Sequence, residues 1–166
     1  MWPVRHTEIT TAAPETVWSL WEDVPRWTEW DEGLDEISLD GPFAVGTPGK
    51  IKPTGGPRFP FTLIEVDEGR AFTDETKLPL CRLRFAHTLE ATADGRTAIT
   101  ITVSFHGLLR PLFQRVIGKD IEADLGAQTA RLARAAEQEQ AAGSHGADEQ
   151  PAGVAGQTAA SATLQP

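Results

Sequence analysis

Between Leu34 and Gly107 six strand-like runs follow one another, each closed within a few residues by Gly, Pro or Asp, and one long apolar stripe comes directly after them. The runs cover 34–40, 46–53, 58–66, 70–78, 81–92 and 96–106, and connections this short join neighbouring strands antiparallel. The stripe consists of Leu109, Phe113, Val116, Ile117, Ile121, Leu125 and Leu132, and it predicts one helix from near Pro111 to about residue 139. Such a helix is roughly 40 Å long and has to be covered, and only one face of the sheet is large enough to cover it. A wide sheet twists and curls around the helix, so the two surfaces meet incompletely. The gap between them is a natural ligand cavity.

The segment ahead of these runs adds a strand and two short helices. Val4–Thr10 alternates and is β-branched, which suits a strand. Pro14 stands where a first helical turn tolerates it, Val17, Leu20, Trp21 and Val24 recur at helical spacing, and Pro25 ends the pattern. Arg26 to Trp30 fits a second short turn with Trp27 and Trp30 on one side, before Gly33 breaks it. The expected fold is α+β, a curved seven-stranded antiparallel sheet wrapped around a long C-terminal helix, with two short helices after the first strand. Residues 141–166 hold only Val154 and Leu164 as larger aliphatics, so they are expected to be a disordered tail behind a domain of residues 1–140.

Parity assigns the faces of the last two runs. Leu83, Phe85, His87 and Leu89 share one face, as do Ile99, Ile101, Val103 and Phe105. A three-residue loop, Ala93-Asp94-Gly95, pairs the two apolar faces and sets His87 opposite Ile101; Asp67-Glu68-Gly69 looks like the same device. His87 thus takes an inward position where Leu or Val is the ordinary choice. If Pro79 and Leu80 close the preceding hairpin, Phe72 lies opposite His87 and Asp74 lies diagonally within reach. A carboxylate there could orient His87 as a general acid or base. His106 falls on the opposite face with Thr100, Thr102 and Ser104, and Arg82, Arg84, Glu75 and Lys77 point outward as a solvated charge lattice.

Composition removes several functions. The chain has 24 acidic against 15 basic residues, and its first 40 residues carry ten acidic ones against Arg5 and Arg26. A net charge of −9 argues against a grip on nucleic acid or an anionic bilayer, since both need clustered Lys and Arg. No apolar run follows Met1–Thr10, so neither a leader nor a membrane span is expected there, which points to the cytoplasm. Cys81 is the lone cysteine and no HExxH occurs, so no metal and no cofactor are expected. Gly55-Gly56-Pro57 lacks the Lys-Ser or Lys-Thr of a phosphate loop. Nothing in the pattern sets an oligomeric state.

Two groups of residues carry a family resemblance. Pro14-Glu15-Thr16-Val17-Trp18-Ser19-Leu20-Trp21-Glu22-Asp23-Val24 with Trp27-Thr28-Glu29-Trp30-Asp31 looks like the opening helix pair of the START and Bet v 1 superfamily. His87-Thr88-Leu89-Glu90, Asp94-Gly95-Arg96-Thr97 and Gly107-Leu108-Leu109 are similar to its polyketide cyclase/dehydrase-like branch. The resemblance covers about residues 3 to 139 and implies a helix-grip fold. It is weak for activity, because the superfamily hosts carriers, cyclases, hydrolases and binding proteins.

Three functions are therefore expected to compete. In the first, a hydrophobic or aromatic small molecule, lipids included, binds between sheet and helix against Phe72, Phe85, His87, Ile101, Val103 and Leu125. Trp27, Trp30, Phe61, Phe105 and Ile121 complete that lining, while Trp18 and Trp21 close the narrow end as core. In the second, a polyketide-like substrate is cyclised or dehydrated with His87 moving protons and Asp74 orienting it; the chain has no tyrosine to serve as a phenolic acid. In the third, acidic residues 22–40 dock a basic protein surface.

Overall fold

Alternation makes the strands and short turns set their order. The computed structural model describes residues 2–148. Its strands are β1 (Val4–Thr10), β2 (Leu34–Leu39), β3 (Pro48–Pro53), β4 (Phe59–Asp67), β5 (Ala71–Leu78), β6 (Cys81–Ala91) and β7 (Thr97–Gly107). They form one antiparallel sheet in the order β1-β7-β6-β5-β4-β3-β2. The chain's first strand therefore returns to pair with its last.

The turns fix which side chains meet. Thr92 N–H donates to the Arg96 carbonyl at 2.8 Å across Ala93-Asp94-Gly95, with Gly95 at φ +79°, and His87 stands opposite Ile101 as parity requires. Pro79 and Leu80 close the β5–β6 hairpin and bring Phe72 opposite His87. The β4–β5 turn differs by one place: its bond runs from Arg70 N–H to the Asp67 carbonyl, so the loop is Glu68 to Arg70. A bulge between Leu63 and Glu65 then restores the phase, keeping Phe61, Leu63 and Val66 all on the inner face.

Helix α1 (Pro14–Glu22) buries Val17, Trp18, Leu20 and Trp21. It stops two residues earlier than the spacing of Val24 suggests, because Val24–Arg26 tightens into a 3₁₀ turn with Pro25 inside it. Four-residue α2 (Trp27–Trp30) follows and has no fully buried residue. The expected single C-terminal helix is two, α3 (Arg110–Val116) and α4 (Gly118–Asp148), broken at Ile117. Gly118 marks the break: the Trp2 ring packs so closely on it that a Cβ would stand 2.6 Å from the ring. Inward residues keep a spacing of four through Leu109, Phe113, Ile117 and Ile121, and Val116 falls off this ridge into solvent. α4 continues to Asp148, into the segment expected to be tail; residues 149–166 lie outside the described part.

The core is two clusters. One gathers Trp18, Trp21, Phe61, Phe72, Leu89, Ile99 and the α4 residues Leu132 and Ala136; the other gathers Val4, Leu83, Ile101, Val103, Phe105, Leu125 and the inner ridge of α3. Gln128 and Thr129 interrupt the apolar run of α4 between Leu125 and Leu132, and the fully buried Thr129 hydroxyl donates to the Leu125 carbonyl at 2.7 Å. On the outer face Glu75 is buried rather than solvated, clasped by Arg82 at 2.9 Å and Arg84 at 2.8 Å. Burial acts to raise its carboxyl, yet the two guanidinium groups outweigh that and hold it below the usual range.

Candidate functional site

His87 is wedged among aromatic rings. Phe72, its cross-strand partner, stacks on the imidazole at 4.1 Å with 7° between planes, and Trp21 of α1 meets it edge-on at 5.6 Å. The ring is buried, and its Nδ1 has no hydrogen-bond partner. Asp74, two residue pairs along β5 from Phe72, brings Oδ2 to 3.8 Å from that Nδ1, which is proximity without a hydrogen bond. Burial pushes His87 down to about 3 and pushes the Asp74 carboxyl up to about 7. At neutral pH the imidazole is therefore uncharged, and the carboxyl is the group poised to exchange a proton. From sequence, His87 is expected to move protons and Asp74 to orient it; here Asp74 is the group nearer its titration at neutral pH.

Beside His87 a cleft is lined by Trp21, Trp27, Trp30, Ile101, Gln128 and Leu132. It measures only about 20 Å³, close to the space one water molecule requires. Trp30 also lines an outer hollow of about 330 Å³ between α1, α2 and α4, where Leu20, Arg26, Ala135 and Glu139 form the wall. Its ring thus partitions the inner cleft from the outside. The Trp30 Nε1 is buried without a partner, whereas Trp27 Nε1 donates to the Trp21 carbonyl at 3.0 Å.

One acid holds this partition in place. Asp31, 1 % exposed at the C-terminal end of α2, accepts from Arg131 and from Gln128 of α4 at 2.9 Å each, and from the Gly33 N–H at 3.0 Å. A buried carboxylate needs such partners, and here they clamp the four-residue helix to α4.

The structure brings together Trp27, Trp30, His87 and Ile101 of the expected lining. Phe72 stands behind His87 as its stacking partner. Phe61, Val103, Phe105 and Leu125 are filled core, and Phe85 and Ile121 are half-buried beside the second cluster. Sequence reasoning passed over Gln128 and the Asp31–Arg131 clamp; the polar pair Gln128-Thr129 inside an apolar helical face was the available signal. His106 is exposed and bonded to Ser104 at 2.9 Å, and His6 sits 3.3 Å from Glu8. His145 lies where side chains are not described. Among the described residues no group of His, Cys, Asp and Glu is arranged to hold a metal ion. Within the acidic segment 22–40, Asp35 pairs with Lys52, Glu36 with Arg58 and Glu29 with Arg26, which neutralises much of it.

Comparison with known proteins agrees with this architecture. A family model described as polyketide cyclase/dehydrase and lipid transport matches residues 1–137. Among solved structures, a norcoclaurine synthase point mutant of Thalictrum flavum in complex with a transition-state analogue is similar with a TM-score of 0.66 at 13% identity, covering 82% of this chain and 94% of that one. TTHA0849 from Thermus thermophilus follows with a TM-score of 0.61 at 16% identity, over 85% of this chain and 98% of that one. DynU16, from the dynemicin biosynthetic locus, gives 0.62 at 20% identity over 81% of this chain and 46% of its own. At such identities the likeness is one of fold. A search of curated proteins returns no match.

Proposed function

The chain belongs to the polyketide cyclase/dehydrase and lipid transport family, and on that premise we propose that it binds a hydrophobic or aromatic small molecule between the sheet and α4. The observation that carries this reading is the cleft itself, where two buried ring nitrogens, His87 Nδ1 and Trp30 Nε1, stand without partners among aromatic and aliphatic walls. Unpaired buried polar atoms are costly, and a ligand offering one acceptor and one polar hydrogen would satisfy both. The closed cleft is too small for such a molecule, so Trp30 has to swing out and join it to the outer hollow. A lone buried Cys81 suits work in a reducing cytoplasm.

Native mass spectrometry of gently purified protein, set against the denatured mass, tests the reading directly. A retained apolar compound supports it and identifies the ligand class. Protein that is empty, and that fails to bind the amphipathic dye anilinonaphthalene sulfonate even when Trp30→Ala opens the partition, would count against it.

A second reading, proton-transfer catalysis on a polyketide-like substrate, is favoured by one observation: a carboxyl raised to about 7 stands 3.8 Å from an imidazole lowered to about 3. Two groups whose environments push them apart are suited to acid and base work. Here Asp74 would give and take the proton that enolisation or aldol closure requires, with His87 as its neutral neighbour. Asp74→Asn should then abolish turnover and leave binding largely intact; unchanged turnover rejects the role.

A further inference from the structure

The net charge of −9 conceals one end of opposite sign. Residues 77–84 carry Lys77, Arg82 and Arg84 and no acid, and residues 106–119 carry Arg110, Arg115 and Lys119 and no acid, with Asp120 marking the edge. These two segments are neighbours. The Leu109 N–H donates to the Leu80 carbonyl at 3.2 Å, and a Cβ on Gly107 would stand 2.5 Å from the same oxygen. Glu75 engages Arg82 and Arg84, while Lys77, Arg110, Arg115 and Lys119 form no ion pair among the described residues.

Between these cations four aliphatic side chains face solvent: Leu80 is 67 % exposed, Leu108 79 %, Leu112 50 % and Val116 60 %. Leu108, Leu112 and Val116 recur at intervals of four, so they form a ridge beside the inward ridge of Leu109, Phe113 and Ile117. Arg115 is three residues from Leu112 on α3, and the exposed Lys119 opens α4 just beyond Val116, which borders the outer ridge with charge. Contiguous apolar side chains on an otherwise polar surface mark a docking site.

The rim selects the partner. Four unpaired cations around aliphatic tips match an anionic headgroup layer lying over hydrocarbon, with long basic side chains reaching phosphates while the tips enter. A second copy bound through the same patch about a two-fold axis would set these cations against themselves. We propose that this end of the molecule docks on an anionic lipid bilayer, with Leu80, Leu108, Leu112 and Val116 inserted at the acyl boundary and Lys77, Arg110, Arg115 and Lys119 on the headgroups. The acidic remainder of the chain is repelled by the same surface, which leaves one orientation of approach. The whole-chain charge hid this, because six of the 15 basic residues are concentrated in these two segments.

Vesicle flotation of the full chain tests it, using phosphatidylcholine alone and phosphatidylcholine with phosphatidylglycerol in equal parts. Co-flotation is expected with the anionic vesicles only, falling about tenfold in high salt. The double variant Leu112→Glu, Val116→Glu, with its fold checked by circular dichroism, should lose binding by about tenfold or more. Arg115→Glu with Lys119→Glu should weaken it similarly, and Val45→Glu, exposed outside the patch, should float like the parent. Failure of the parent to float, or flotation unchanged in both double variants, overturns the proposal. Self-association that Leu112→Glu abolishes, in a parent that does not float, overturns it in favour of a protein contact.

Discussion

Asp74 and His87 give the inner face a pH dependence that is hidden while both are present. Asp74 is raised from 3.8 to about 7, so its contribution to stability is full below 3.8 and is lost as pH rises through about 7. His87 is lowered from 6.5 to about 3, so its contribution is full above 6.5 and is lost as pH falls toward 3. Between about pH 4 and 6.5 the two slopes oppose each other, each on the order of 1 kcal/mol per pH unit. Urea unfolding should therefore show little change from this pair in the parent, stability rising with pH in Asp74→Asn, and stability falling with pH in His87→Gln. Three superimposable profiles would dismiss the assigned environments. Gly49 offers a second residue-scale test, since a Cβ there runs into the Phe61 ring and stands 2.5 Å from the Ser38 carbonyl. Gly49→Ala should lower stability by roughly 2 kcal/mol in the same assay. His87 and its neighbours were readable from alternation and hairpin length alone, because each strand residue has only two faces to choose between.

Among the elements, α2 is the least anchored by its own packing and depends on Asp31. Asp31→Ala leaves Arg131 of α4 with only the exposed Asp124, at 3.3 Å, and should cost up to about 3 kcal/mol, while raising anilinonaphthalene sulfonate fluorescence as the Trp27 and Trp30 rings loosen. Loss of stability without added dye binding would show that the clamp does not guard the cleft. The break between α3 and α4 makes the opposite kind of prediction. Alanine is the better helix former, yet Gly118→Ala should lower the melting temperature, because the new methyl displaces Trp2 from its edge-on contact with Phe105 at 4.8 Å. Strand positions came straight from pattern, whereas these two features did not. The Asp31–Arg131 contact joins residues 100 apart through no shared register, and a glycine in a helical stretch does not announce which ring will lie on it.

At the scale of the whole molecule, topology was legible and the state of the interior was not. A sheet, a turn inventory and a covering helix follow from periodicity, but whether the interior space is open depends on bulges and rotamers such as those at Leu63–Glu65 and Trp30. The interior also consists of two clusters strung along one helix, parted by His87, Gln128 and the buried Thr129. A core divided in this way is expected to open as two cooperative units. Amide hydrogen exchange should separate them: α3 and the Phe105 end of β7 should open first, and the Ile99 end of β7, with α1 and the Leu132–Ala136 turn of α4, only near global unfolding. A single protection level across both ends would show that they melt as one. Where they differ, one end of the molecule breathes on its own while the other keeps its shape, so motion at α3 need not be felt at Trp18, Trp21, Trp27 and Trp30.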